Sequence, residues 1–341
     1  MLTARQRAIL NSIVERYVVD ATPVSSRAIS RRGGLGVSSA TVRNEVAVLE
    51  EHGYITHPHS SAGSVPSDKA YRLYVEDVAR SGPLEEPTAT RRAVHERLCS
   101  VEMDDDRWSS SAAAALAQMV DNLALATPPK AAEARVMRLE VVPLEGLLAM
   151  MVIVLQQARL RRHLVRLDRP IGADELARSA NRVRDLVEGQ TRSQITLIDP
   201  DLTPFEMDIL RSTILVLEEE DRDLFRDHYL DGLRNLLAQP EFAENRRVQR
   251  LIEGFEDGTL AQAVLEETPD GPALRVVIGA ENREDVLRPL SVVIGRYGVA
   301  GTAVGAIAAV GPTRMRYSHT IARVRLMASV MTDIVAPGGQ I

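Results

Sequence analysis

The chain has 341 residues, long for one domain and suited to two or three. Hydrophobic content is 45%, ample for buried cores, but aromatic content is only 4%, so those cores are mostly Leu, Val, Ile and Ala. The net charge of −6 excludes a chain that is basic throughout, and a nucleic-acid role requires a local basic region.

The N-terminal 80 residues read as a helical module with a hairpin. Thr3-Ala4-Arg5-Gln6 is a capping box, and the helix behind it buries Ile9, Leu10, Ile13, Val14 and Tyr17. Thr22-Pro23-Val24-Ser25 breaks the chain and caps a second helix over 26–31. Arg32-Gly33-Gly34-Leu35-Gly36 is a glycine-rich turn. Ser38 caps a third helix that Gly53 can end. Val42, Val46 and Leu49 form its buried stripe, and Ala40, Arg43, Asn44 and Ala47 its opposite arc, with Thr41 at the edge. Small side chains let a backbone approach base edges, Arg pairs with guanine, Asn with adenine, and Ala or a Thr methyl touches the thymine methyl. An ordinary amphipathic helix with a solvated face explains the arc equally well, and its neighbours tip the balance. Residues 54–57 read as a strand, 58–64 as a polar turn, and Val65 begins a return strand. Ser67 caps a fourth helix bearing Tyr71, Tyr74, Val75 and Val78. Three helices and a hairpin wing make a winged helix-turn-helix. Up to position 75 nine cations stand against six anions, a mildly basic head on an acidic body.

Ser81-Gly82-Pro83-Leu84-Glu85-Glu86-Pro87 reads as a linker. Beyond it, helices are expected at 90–101 and, Ala-rich, at 110–126. Strands are expected at 135–142, 147–155 and 159–167. A helical block follows at 174–188, 204–219 and 221–237, then a helix at 246–267. Strands return at 274–278, 289–297 and 299–310, and a last helix spans 317–335. Strands on either side of a helical block describe one α+β domain interrupted by an insert. Cys99 is the only cysteine, which excludes an intramolecular disulfide and suits a reducing cytoplasm. The N-terminus does not read as a signal peptide, and no apolar run approaches the roughly 20 residues that span a bilayer.

Three runs resemble the HrcA family, the heat-inducible transcription repressors of bacteria. They are Gly36-Val37-Ser38-Ser39-Ala40-Thr41-Val42-Arg43-Asn44, then Leu49-Glu50-Glu51-His52-Gly53-Tyr54, and Pro58-His59-Ser60-Ser61-Ala62-Gly63 with Asp68-Lys69. Ile278-Gly279-Ala280-Glu281-Asn282 and Val310-Gly311-Pro312-Thr313-Arg314-Met315 are similar to that family's regulatory domain. The resemblance implies a GAF-like domain in two parts, 91–167 and 243–341, around a dimerisation insert at 168–242, with the head at 1–80 and the linker at 81–90. It implies a homodimer on an inverted-repeat operator of the CIRCE type, and a GroEL-type chaperonin that keeps the repressor active. No cofactor is implied.

For DNA, Ser38, Ser39, Thr41, Arg43 and Asn44 are the expected contacts of the third helix, with Arg27, Arg31, His57, His59, Ser61 and Lys69 positioning the backbone. Other patterns are weaker. Gly295, Gly298, Gly301 and Gly305 lack dinucleotide-binding spacing and read as a strand pair. His57 and His59 have no third metal ligand near them in sequence. No catalytic constellation is recognisable, so an enzyme with a DNA-binding head is disfavoured. A repressor gated by a small ligand in the GAF-like domain is the alternative, and a pocket with convergent polar groups would favour it. The family pattern has Arg where this chain has Ser64. An Arg at the wing tip can reach a phosphate, so Ser64→Arg should add one phosphate contact per subunit, strengthen DNA binding and steepen its salt dependence.

Overall fold

The computed structural model describes residues 2–32, 38–59, 62–80, 82, 87–101, 106–130, 133–145, 147–156, 160–167, 169–222, 227–242, 245–269, 271–299 and 303–336. The architecture is mixed α+β. Compactness divides the chain into two units, residues 1–128, 227–298 and 305–341 in one, and residues 129–226 with 299–304 in the other.

The first unit begins with α1 (Ala4–Asp20), α2 (Ser26–Arg32) and α3 (Ser39–Glu51). The Thr3–Gln6 capping box forms as expected. A short antiparallel hairpin follows, β1 (Ile55–Thr56) with β2 (Val65–Pro66), then α4 (Asp68–Arg80). Gly63 lies at the hairpin base, where a Cβ would sit 2.7 Å from the backbone of Pro23 and Val24. Only glycine fits that approach. α5 (Thr88–Cys99) and α6 (Asp106–Val120) lead into β3 (Leu123–Ala126).

The inserted unit comes next. β4 (Val136–Pro143), β5 (Leu148–Leu155) and β6 (Leu160–Arg166) form an antiparallel sheet of their own, order β4-β5-β6. α7 (Ala173–Val187), α8 (Arg192–Ile195) and α9 (Pro204–Arg222) complete it. Val136, Leu139, Met151, Ile153 and Val165 pack with Val183, Val187, Ile209 and Leu217 in one apolar cluster.

The chain then returns to the first unit through β7 (Tyr229–Asp231), α10 (Leu233–Leu237), α11 (Asn245–Glu256) and α12 (Thr259–Leu265). β8 (Arg275–Ile278), β9 (Leu290–Val299), β10 (Ala303–Pro312) and α13 (Tyr317–Val335) close the fold. The five-stranded sheet has the order β7-β3-β10-β9-β8. Ala124, Ala126, Val293, Tyr297, Ile307 and Ala309 share one of its faces and join a cluster with α5, α6 and α13. That cluster continues without a break into Ile9, Leu10, Ile13, Val42, Leu49 and Tyr71 of the head. Head and body residues therefore belong to one apolar cluster, and of the expected linker at 81–90, residues 81 and 83–86 lie outside the described residues.

Several expected elements are corrected. The Ala-rich helix stops at Val120, not 126, because Asp121 turns left-handed (φ 51°) and Leu123–Ala126 enter the sheet between β10 and β7. All four of those residues are fully buried, so burial on both faces outweighs their helix propensity. The expected helix 221–237 holds β7, and the expected helix 246–267 is two helices, with Asp257 capping Thr259 between them. The expected boundary at 168 also differs from the compact division. Strands β4 to β6 pair with one another and not with the five-stranded sheet, and the second unit starts near residue 129. Among the described residues no helix is long and apolar enough to cross a membrane.

Candidate nucleic-acid interface

Ser38 begins the candidate surface. Its extended backbone (φ −69°, ψ 156°) leaves the helix, and its Oγ accepts from the Thr41 N–H at 3.1 Å. The Thr41 hydroxyl lies 3.0 Å from the same oxygen, so both side chains are tied into the helix start. Val42, Val46 and Leu49 are buried, which turns Ala40, Arg43, Asn44 and Ala47 outward, all exposed. Ser39 and Thr41 are half-buried at the edge of this arc. Neither the Arg43 guanidinium nor the Asn44 amide has a partner among the described residues. Leaving two such groups unpaired is affordable only in water or opposite a partner molecule. Of the three anions on this helix, Glu45, next to Asn44 in sequence, is restrained: it accepts from Gln6 Nε2 at 3.0 Å and lies 3.8 Å from Arg5. Arg27 and Arg31, on α2, are exposed as well.

The remaining expected residues divide. His59 is exposed in the hairpin turn, where its carbonyl accepts from Ala62 N. Ser61 lies outside the described residues, as do Gly36 and Val37 of the first motif. His57 is engaged, with Nδ1 2.9 Å from Glu50 Oε1. Lys69 is also engaged: its Nζ donates to the His52 carbonyl at 2.8 Å and stands 4.4 Å from the Tyr54 ring centroid. It closes the C-terminal end of α3 in place of a missing intrahelical donor.

Ser64 is corrected. It is buried, at 2% exposure, and exchanges two backbone hydrogen bonds with Val24 (2.8 and 2.9 Å). It belongs to the hairpin base and not to its tip, so an Arg there would meet the core before any phosphate.

The second unit presents a surface of opposite character that sequence reasoning missed. The outer face of its sheet carries two apolar rows, Val142–Met150–Leu164 and, beside Arg138, Val154–Leu160, separated by the row Glu140–Val152–Arg162. Val142, Leu160 and Leu164 are 49%, 52% and 57% exposed. The signal was legible: β5 reads Leu-Ala-Met-Met-Val-Ile-Val-Leu, apolar on both faces, where a sheet with one wet face alternates.

Comparison with known proteins decides the family. A family model described as the HrcA protein C terminal domain matches residues 106–321. A heat-inducible transcription repressor HrcA of Dehalococcoides mccartyi is 36% identical over 100% of this chain and 99% of its own length. This chain belongs to the HrcA family. HrcA relatives of the same name from Herpetosiphon aurantiacus (33% identical, 98% of this chain and 95% of theirs) and Roseiflexus castenholzii (34%, 98% and 95%) agree. These relatives are transcription repressors and not enzymes. A crystal structure described as a hypothetical protein aligns over 98% of both chains with a TM-score of 0.59 at 20% identity, a likeness of fold alone. The HrcA motifs of the C-terminal part have structural work to do. Asn282 is buried, and its Nδ2 reaches the carbonyls of Gly279, Leu287 and Leu290 at 2.9–3.1 Å, which shapes the turn before β9.

Proposed function

We propose that this chain represses transcription of heat-shock genes by binding an inverted-repeat operator of the CIRCE type as a homodimer in the cytoplasm. The observation that carries the reading is the outward arc of α3: small residues around an unpaired Arg43 and Asn44, on a capped helix flanked by α2 and a hairpin, in a family of named repressors. We read α2 and α3 as a helix-turn-helix and β1–β2 as its wing. Arg43 and Asn44 read bases; Ser38, Ser39, Thr41, Arg27, Arg31 and His59 hold phosphates. His57 and Lys69 reach the backbone only by giving up Glu50 and His52, so they are lesser contacts.

A two-fold operator demands a two-fold protein, and a two-fold interface uses the same patch on both copies. The outer face of β4–β6, with apolar rows on either side of Glu140, Val152 and Arg162, offers such a patch, so we assign dimerisation to the second unit. The family resemblance further supports a GAF-like reading of the five-stranded sheet and a GroEL-type chaperonin as the partner that sustains activity. The core of that domain is packed around Tyr297, but a cleft of about 180 Å³ lined by Asn122, Gln239, Arg314, Arg316 and His319 keeps a small-ligand repressor as the alternative. The Trp108 and Tyr297 rings lie 5.9 Å apart inside that domain, and Tyr297 lies so close to Gly305 that a Cβ there would overlap its ring.

The test is selection of bound DNA from random sequence at a fixed, stated salt concentration, with and without chaperonin. Recovery of an inverted repeat, bound more tightly with chaperonin, is the expected result. Recovery of no sequence preference sinks the reading.

A further inference from the structure

The first turn of α4 bonds in two directions. Toward the head, Ser67 Oγ donates to the carbonyls of Gly53 (2.8 Å) and Tyr54 (3.1 Å), and Lys69 Nζ donates to that of His52 (2.8 Å). These three carbonyls lie immediately after α3, where the helix has run out of its own donors. Toward the body, Asp68 Oδ2 accepts from the Ala280 N–H at 2.8 Å. One turn later Arg72 forks onto Glu281, with Nε 2.7 Å from Oε1 and Nη2 on Oε2, and Nη2 also donates to the Val276 carbonyl at 2.7 Å. Glu281 is itself fixed by the Ile278 N–H at 2.9 Å.

The seat is built for this contact. Gly279 has φ +53°, and a Cβ on it would lie 2.1–2.6 Å from the Asp68 carboxylate atoms. Only glycine allows that approach and that backbone conformation. Consecutive residues 67, 68 and 69 thus alternate between the end of α3 and the turn at 279–281. The Arg72–Glu281 pair is about one-third exposed on each side, so water competes for it, and opening it locally is far easier than opening the shared core.

We infer that the first turn of α4 is a coupling between body and DNA-reading helix: docking of Asp68 and Arg72 on Gly279–Glu281 steadies the C-terminal end of α3, and opening of that dock weakens DNA binding while the rest of the fold stands. The network is continuous bond by bond, with no step left to proximity. Its second half rests on the reading of α3 as the DNA helix.

The experiment uses the full chain with Glu281→Ala and Glu281→Gln. Glutamine keeps an acceptor for Ile278 but loses the charge that Arg72 binds. Hydrogen exchange followed by mass spectrometry reads residues 46–54, and the selected operator reads affinity. The expected result is exchange at 46–54 faster by roughly tenfold in Glu281→Ala and less in Glu281→Gln, with operator affinity falling in the same order. Arg72→Ala should reproduce Glu281→Ala and keeps the test open if that variant does not fold. Unchanged exchange at 46–54, with faster exchange at 276–281, overturns the coupling. Faster exchange at 46–54 with unchanged affinity overturns its link to DNA. If the unaltered chain binds no DNA, the exchange result still decides the coupling, and the failure belongs to the DNA reading alone.

Discussion

The arc of α3 and the outer face of the β4–β6 sheet are both exposed, and they differ in chemistry. The arc is small and polar around Arg43 and Asn44; the sheet face sets apolar rows, Val142–Met150–Leu164 and Val154–Leu160, on either side of Glu140, Val152 and Arg162. A hydrated, charged polymer is met with hydrogen bonds and cations that lose little by standing in water when free. A second protein surface is met with apolar area, which is costly to leave wet. On the proposed reading, the contrast assigns one surface to DNA and the other to a second copy of the chain, each according to the groups it leaves exposed.

The largest expected effect breaks the apolar side of the comparison. Met150→Asp with Leu164→Asp should give a monomer by sedimentation, with operator affinity lower by about 10²–10⁴-fold, because two linked heads gain effective concentration on a repeat. An intact dimer would move the interface elsewhere.

Ser64→Arg tests where the polar side ends. Position 64 is buried beside Val24, so the variant should lose about 3 kcal/mol of stability through an unpaired buried charge and overpacking, seen as a lower urea midpoint. A variant of unaltered stability with a steeper salt dependence of DNA binding would restore position 64 to the wing tip.

Arg43→Ala and Asn44→Ala sharpen the polar side. Each should cost about 1–3 kcal/mol of discrimination between operator and scrambled DNA, with the oligomeric state unaltered. A wild-type affinity ratio for either variant removes that residue from the base readers.

The smallest effect concerns the second unit, which carries that sheet face. Side-chain hydrogen bonds from Thr191 and Ser193 hold the Glu133 carboxyl below its ordinary value of 4.5, Ser193 Oγ at 2.7 Å. An acid with a depressed folded pKa contributes stability that is present above its unfolded value and lost as pH falls through the folded one. Glu133→Gln should therefore be slightly less stable than the unaltered chain at pH 7, with the difference shrinking as pH falls below about 4.5, so that its acid decline is flatter. An identical acid decline in both proteins rejects the assignment.

The sequence by itself determined the head. The capping box at Thr3, the Ser38 cap, the stripe Val42–Val46–Leu49 and the stop at Gly53 are local signals, fixed within a turn or two of helix, and each stands where it was read. The closing helix is legible for the same reason, with identical bounds at Tyr317–Val335. Tertiary structure alone decided the rest. Leu123–Ala126 become a strand because β10 and β7 flank them, partners more than 100 residues away. Ser64 is interior because Val24 binds its backbone, and Lys69, though exposed, is engaged by the carbonyl of His52. The linker composition after Arg80 concealed a head seated on its body through Asp68 and Arg72, contacts that span more than 200 residues. Helix caps and stripes are written in neighbouring residues, whereas pairing, burial and docking depend on which distant surface arrives, and no local window contains that.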